Sequence, residues 1–372
     1  MLCRAITVSD FRNIEYARVA FGEGVTVLYG DNAQGKTNLL EAIYYAAIGK
    51  SFRGQNAPEV IRFGAPMARL SLDYIASGRV QNITMCLFRD RARAVEKNHV
   101  KITKMSELVG SFRAVLFCPE HLSLVKGGPA ERRQFLDIAI SAKEPLYLAT
   151  LQRYAHVLKQ RNALLKTAKQ DPQLFESTVE LWSSQLAHEG AQIARSRKRY
   201  IEKADGFVKT CFAEMMGERE IPALSYLGPD KREEADYEDL AATEARLFHL
   251  LTAHHDREIA AGATLWGVHK DDMEILLNQR PARLFGSQGQ QRSLSLALKI
   301  AEGEICREDS GEYPVFLFDD VLSELDSGRR KYVIEGMRDR QVIITSCEGE
   351  DIIDGADKII EVSEGSYVSS HR

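Results

Sequence analysis

Residues 25–48 read VTVLYGDNAQGKTNLLEAIYYAAI. A β-type apolar run, Val25-Thr26-Val27-Leu28-Tyr29, ends at Gly30, and a polar loop follows, Asp31-Asn32-Ala33-Gln34-Gly35. Lys36-Thr37 then opens a stretch in which Leu39, Leu40, Ile43 and Tyr44 recur at helical spacing. Gly30-x-x-x-x-Gly35-Lys36-Thr37, between a strand and a helix, is a phosphate-binding loop in its required setting. Backbone N–H groups of such a loop and of the helix N-terminus converge on anionic oxygens. Gly35 lets the backbone approach a phosphate where a Cβ would clash. Lys36 brings a point charge to the β/γ oxygens, and the Thr37 hydroxyl is a Mg²⁺ ligand. Gly30, Asp31, Asn32, Ala33, Gln34, Gly35, Lys36 and Thr37 are therefore the expected nucleotide-binding residues; the competing reading is a chance turn rich in Gly and Asn.

The chain has 372 residues, 44% hydrophobic and 27% charged, enough for a sizeable core in two lobes. A net charge of −4 offers no overall attraction to nucleic acid, so a DNA-binding surface has to be a local patch. Six scattered cysteines with no C-x-x-C suit a reducing cytoplasm and no structural zinc. No run approaches the length of a membrane span. Arg4, Asp10, Arg12 and Glu15 do not read as a signal peptide, and a cytoplasmic location is expected.

Leu2–Val8 and Ala17–Phe21 read as strands, with Phe11-Arg12-Asn13 between them. Arg12 is a candidate phosphate or base contact, or a plain surface arginine. Ala68–Tyr74 and Ile83–Phe88 read as a hairpin turned at Gly78, with a basic stretch, Arg89–Arg93, at its end. From Pro129 to about residue 260 the apolar spacing becomes helical, as in Leu148, Leu151, Tyr154 and Leu158. Arg195-Ser196-Arg197-Lys198-Arg199 lies there. Both basic stretches are candidate DNA contacts, or solvated ends and faces. His254-His255 reads as a solvated helix face rather than a metal site, and Glu218–Asp239 as an irregular connection. The expected division is an α/β lobe of residues 1–125 and 290–372, and a helical lobe of residues 126–289.

Val315-Phe316-Leu317-Phe318 is a continuous apolar run, the mark of a parallel strand buried on both faces, and it ends in Asp319-Asp320. A carboxylate at that edge can hold Mg²⁺ and the next can polarise the attacking water. Residues 285–301, FGSQGQQRSLSLALKIA, place Ser287 before a long helix, a second anion site that is most useful facing a nucleotide on another copy of the chain.

Phosphate loop, Ser287-Gln288-Gly289-Gln290-Gln291, Asp319-Asp320 and Ser323-Glu324-Leu325-Asp326 stand in the order of ABC-type ATPase heads. With Phe11-Arg12-Asn13, Lys50-Ser51-Phe52-Arg53, Pro119-Glu120, Arg132-Arg133-Gln134-Phe135-Leu136-Asp137 and His269-Lys270-Asp271-Asp272, the chain resembles the RecF family of bacterial DNA-repair ATPases, relatives of the SMC proteins. The helical insert is far too short for the long coiled coils of other SMC-like proteins. The resemblance implies an α/β, ABC-type P-loop head with a mostly helical second lobe. It also implies ATP and Mg²⁺ as cofactors, an ATP-dependent homodimer, and weak DNA-stimulated hydrolysis. Implied partners are single- and double-stranded DNA at gaps, with RecO and RecR in loading RecA. By position, Lys36 and Asp320 are catalytic, Thr37 and Asp319 hold Mg²⁺, and Arg12 joins the ATP site. Ser287, Gln288, Gly289 and Gln290 reach the partner's γ-phosphate, and Asp326 lies in the interface loop. The chain departs from the pattern at Ala33, where many relatives carry glycine. It departs again at Thr345-Ser346-Cys347, which lacks the histidine of transporter ATPases, and its lobe-joining glutamine is not obvious, Glu120 being nearest. The rival readings are a nucleotide-gated subunit of another SMC-like or transporter assembly, and a DNA scaffold that binds ATP without hydrolysing it.

Overall fold

The structure, a computed structural model, describes residues 1–54, 57–229, 236–347 and 355–370. The chain falls into two units, residues 1–123, 210–219 and 288–372, and residues 124–209 and 220–287.

In the first unit β1 (Leu2–Phe11) and β2 (Ile14–Ala20) form a hairpin whose last pair, Phe11 with Ile14, leaves Arg12-Asn13 as the turn. Arg12 takes φ 56, the left-handed backbone such tight turns use. β3 (Val25–Tyr29) leads through the phosphate loop into α1 (Lys36–Ile48). After the short α2 (Ala57–Val60) come β4 (Met67–Ala76), β5 (Arg79–Phe88), β6 (Ala94–Lys97), β7 (Val100–Ile102) and β8 (Ala114–Phe117).

The second unit is mostly helical, with α3 (Ser123–Lys126), α4 (Pro129–Lys143), α5 (Pro145–Thr167) and α6 (Pro172–Met216), whose last turns belong to the first unit. β9 (Pro222–Leu227), α7 (Leu240–Thr252), α8 (His255–Ala261), β10 (Asp272–Leu277), β11 (Arg280–Pro281) and α9 (Ala282–Phe285) complete it. The first unit then resumes with α10 (Gln288–Ser310), β12 (Val315–Asp319), α11 (Ser327–Gly336), β13 (Val342–Ser346), β14 (Lys358–Ser363) and β15 (Ser366–Ser370).

Among the described residues the first unit has two six-stranded sheets. One is antiparallel, ordered β2-β1-β4-β5-β6-β7; the other, β15-β14-β3-β13-β12-β8, is parallel except for its edge strand β15. All five residues of β12 and all five of β13 are buried, as expected for strands covered on both faces. Helix α1 packs on both sheets, and its apolar residues share one core with Ile6, Val8 and Leu70 of the first sheet and Leu317 and Ile343 of the second. Burial therefore runs almost all round α1, through Leu39, Leu40, Ala42, Ile43, Tyr44 and Tyr45, where the sequence suggests one buried face. Among the described residues no helix is long and apolar enough to cross a membrane.

Three expectations need correction. The connection Glu218–Asp239 is not irregular throughout: β9 pairs antiparallel with β10, while residues 230–235 lie outside the described residues. The stretch Arg89–Arg93 is not a free basic tip. The Arg89 guanidinium donates to the carbonyls of Ala65 (2.9 Å), Pro58 (3.2 Å), Ile61 (3.1 Å) and Arg62 (2.9 Å), Arg93 donates to the Gly49 carbonyl, and Arg91 stacks on Phe88. Arg195–Arg199 is not a free basic face either. Arg197 is 2% exposed and bonds Asp271 at 2.7 Å and Asp137 at 2.8 Å, Arg199 pairs with Glu238, and Lys198 pairs with Glu202. His254 stacks on Trp266 and His255 meets the edge of Phe175.

The second unit buries a second arginine completely. Arg161 donates to Glu258 (2.6 Å), Ser183 (3.0 Å), Thr264 (2.8 Å) and the Leu251 carbonyl (2.8 Å), tying α5, α6, α7 and α8 together. Removing one member of such a pair strands a buried charge, whereas replacing both with apolar side chains does not. Arg161→Met is expected to lower stability by about 3–5 kcal/mol, and Arg161→Met/Glu258→Leu to recover most of it. Urea unfolding midpoints for the two variants check this.

Candidate nucleotide site

The loop after β3 is shaped by its glycines. Gly30 sits at φ 154, and a Cβ there would come within 2.2 Å of the Val362 carbonyl oxygen on β14. Gly35 sits at φ 117, with the Tyr367 hydroxyl 3.0 Å from where its Cβ would be. Ala33, the departure from glycine, takes φ 63, so the loop does hold a Cβ in left-handed backbone. The β14–β15 hairpin backs the loop. The Glu364 N–H donates to Gln34 Oε1 (2.6 Å), the Gly365 N–H to the Gln34 carbonyl (2.9 Å), and the Tyr367 hydroxyl to the Gly35 carbonyl (3.0 Å). Lys36 folds over the loop, its Nζ donating to the carbonyls of Gly30 (2.6 Å) and Asp31 (2.7 Å).

Parallel pairing brings the ends of β3, β13 and β12 side by side, with Thr345 opposite both Leu28 and Asp319. The Thr37 hydroxyl donates to Asp319 Oδ1 at 2.8 Å and the Thr345 hydroxyl donates to the same oxygen at 2.9 Å. Burial raises the Asp319 pKa, and the two hydroxyls and Arg53 oppose that rise. A hydroxyl and a carboxylate oxygen in contact form the hard oxygen donor set that suits Mg²⁺. Asp320 follows at φ 53, its N–H donating to Thr345 Oγ1 at 2.9 Å.

A cavity of about 330 Å³ opens on this edge. Of the residues the sequence singles out, Asn32, Ala33, Gly35, Lys36, Thr37 and Asp320 line it. Three more that sequence reasoning missed as site residues, Asn13, Asn38 and Arg53, line it too. They form a chain in which Asn38 Nδ2 donates to Asn13 Oδ1 (2.7 Å) and Arg53 donates to Asn38 Oδ1 (3.1 Å). Asn13 and Arg53 belong to motifs visible in the sequence, Phe11-Arg12-Asn13 and Lys50–Arg53, and Asn38 to the start of α1; which member would face the cavity was not visible. Arg12 is not among the lining residues. Its guanidinium is held by the fully buried Glu41, Nε at 2.9 Å and Nη2 at 2.7 Å. Glu120 lies exposed on a short turn and does not line the cavity.

Ser287 is exposed and directly precedes α10, which Gln288 opens; Gly289 and Gln290 follow in its first turn. Asp326 caps α11, accepting from the Arg329 N–H at 2.9 Å and from its guanidinium at 2.6 Å. The same guanidinium donates to Ser293 Oγ on α10 at 2.7 Å, so Arg329, which no motif marked, couples Asp326 to the helix that Gln288 opens. Gly30→Ala is expected to cost about 2–3 kcal/mol, because its Cβ meets backbone rather than a movable side chain. A lowered urea midpoint, with nucleotide binding lost at temperatures where wild type still binds, checks it.

The model of the RecF/RecN/SMC N-terminal domain matches residues 2–370. The DNA replication and repair protein RecF of Lachnospira eligens is 36% identical over 376 residues, covering 100% of each chain. That of Desulfitobacterium hafniense is 37% identical over 361 residues, covering 96% of each. A solved structure of the recombination mediator protein RecF-ATP in the RecFOR pathway superposes with a TM-score of 0.93 at 32% identity, covering 99% of this chain and 97% of that one. The Smc head domain of Pyrococcus furiosus, at 18% identity and a TM-score of 0.57, shares the fold. The phosphate loop, the acid pair at the parallel sheet edge and these full-length likenesses lead to one conclusion: this chain belongs to the RecF family, within the RecF/RecN/SMC group of ABC-type ATPase heads.

Proposed function

We propose that the chain is an ATP-dependent DNA-binding protein of recombinational repair and replication restart, and a slow, DNA-stimulated ATPase. The observation that carries this reading is the hydrogen bond from Thr37 to Asp319, which joins the phosphate loop to an acid 282 positions away beside one cavity. That join is what a switch sensitive to the γ-phosphate requires. The relatives described as DNA repair proteins and as a RecF-ATP complex support DNA and ATP as the ligands.

Loop N–H groups and the N-terminus of α1 hold the phosphates. Lys36 exchanges the carbonyls of Gly30 and Asp31 for β/γ oxygens, and Arg53 adds a second cation at the cavity wall. Thr37 and Asp319 would hold Mg²⁺, which when bound neutralises charge on the phosphate oxygens. An Asp320 carboxylate oxygen takes a proton from the attacking water. In an ATP-bound homodimer Ser287, Gln288, Gly289 and Gln290 of one copy meet the nucleotide of the other, and Asp326 lies in the shared interface. The resemblance supplies RecO, RecR and RecA loading at gapped DNA as the context. With Arg89, Arg93 and Arg197 consumed by internal bonds, DNA contacts fall to other cations, of which Lys101 in β7 and Lys104 just after it are exposed.

The two acids are expected to separate. Asp319→Asn weakens Mg²⁺-dependent nucleotide binding. Asp320→Asn leaves binding intact and slows turnover by about 10²–10⁴, the size of a lost general base. Fluorescent-nucleotide titration beside a phosphate-release assay decides it; normal turnover in Asp320→Asn places water activation elsewhere.

DNA binding is expected to be gated by ATP. A dimer doubles the phosphate contacts, and log affinity falls with log salt by about 0.9 per phosphate neutralised on duplex DNA. Wild type with ATP should bind tighter and show a steeper salt slope than without it. Ser287→Arg, blocked in dimerisation, should show the shallow slope in both conditions. Fluorescence anisotropy across a salt series measures this, and identical slopes throughout would favour a constitutive scaffold.

A further inference from the structure

Asp320 is held in left-handed backbone, φ 53, at the end of a strand, a conformation that persists only when its surroundings over-determine it. Three neighbours do so. The Thr345 hydroxyl accepts from its N–H at 2.9 Å, the Ser323 hydroxyl donates to its carbonyl at 2.7 Å, and the Cys347 thiol donates to its Oδ1 at 3.7 Å. The first two fix the backbone. Only the third touches the carboxylate. Cys347 directly follows β13, the strand whose Thr345 bonds Asp319, so one strand end supports both acids. A half-buried Asp side chain lining a cavity can still turn about its two χ angles, and a base that must meet a water in one direction loses rate whenever it points elsewhere.

We propose that Cys347 is a positioning residue for hydrolysis. Its S–H holds the Asp320 carboxylate toward the nucleotide cavity, so that the chain uses a thiol at the end of β13 to set its water-activating acid. The inference rests on the reading of Asp320 as the general base. Cys347 touches neither nucleotide nor water in this role. Its removal acts on the chemical step and leaves ground-state binding alone.

The test uses the full-length protein with Mg²⁺-ATP, measuring kcat and KM for wild type, Cys347→Ala, Cys347→Ser, Asp320→Asn and Asp320→Asn/Cys347→Ala. Cys347→Ala is expected to lower kcat about three- to ten-fold with KM unchanged, the size of one lost weak hydrogen bond. Cys347→Ser, which keeps a donor, should return kcat to within about two-fold of wild type, and Cys347→Ala should add nothing to Asp320→Asn. A second readout needs no turnover. The infrared S–H stretching band of the nucleotide-free protein, isolated by subtracting Cys347→Ser, should shift when Asp320→Asn removes the carboxylate. Four results would each overturn the proposal: unchanged kcat in Cys347→Ala, a rise in KM alone, no rescue by serine, or further slowing of Asp320→Asn. Wild-type turnover in Asp320→Asn is a different failure; it removes the base assignment itself, while the S–H band still reports the contact.

Discussion

A carboxylate with no exposed surface sets the frame of the nucleotide site. Glu41 lies on α1 one turn beyond Thr37 and accepts from Arg12 through two donors, from the Ser51 hydroxyl at 2.5 Å, and faces Arg53 at 3.6 Å. A buried ion costs several kcal/mol unless it is paired and hydrogen-bonded, so these partners cannot drift from it. Arg12 comes from the turn of the first hairpin, Ser51 and Arg53 from the loop after α1. Their convergence fixes how α1 is rotated between the two sheets, and that rotation aims Thr37 at Asp319. Through Glu41 the antiparallel sheet takes part in a site built on the parallel one.

The parallel sheet contributes the other half. Its strands β12 and β13 are buried on both faces, so they are apolar along their length and place polar groups only where they end. Thr345, Asp319 and Asp320 therefore meet at one edge, the place where open α/β sheets bind ligands. The hydroxyls of Thr37 and Thr345 donate to the Asp319 carboxylate and oppose the upward pKa shift that its burial causes. The hairpin β14–β15 completes the arrangement from behind, since Gly30 and Gly35 can approach it only without side chains.

The basic stretches show where reading along the chain misleads. Seven cations in Arg89–Arg93 and Arg195–Arg199 were countable, but an arginine carries five N–H donors and is as suited to collecting carbonyls as phosphates. Arg89 holds four carbonyls of residues 58–65, and Arg197 sits between Asp137 and Asp271. A linear pattern records the charge and not what lies against it. The strand β9 was missed for a related reason. Its six residues lie in a charged, Pro-containing stretch, and their strand character comes from pairing with β10, whose partners begin 45 positions later.

By itself the sequence determined whatever depends on neighbours in the chain. The glycines, lysine and threonine at residues 30–37 make a phosphate loop because that chemistry is local, and the apolar runs at 25–29 and 315–318 make buried strands because every residue must be covered. These decided the α/β class and the core of the site. The tertiary structure alone decided that Arg12 serves Glu41 while Arg53 faces the cavity, that Arg329 couples Asp326 to α10, and that Cys347 reaches Asp320. Each of those is a contact between groups 27 to 36 positions apart or brought together by a sheet edge, where the energy lies in a distance and an angle that no run of residue types encodes.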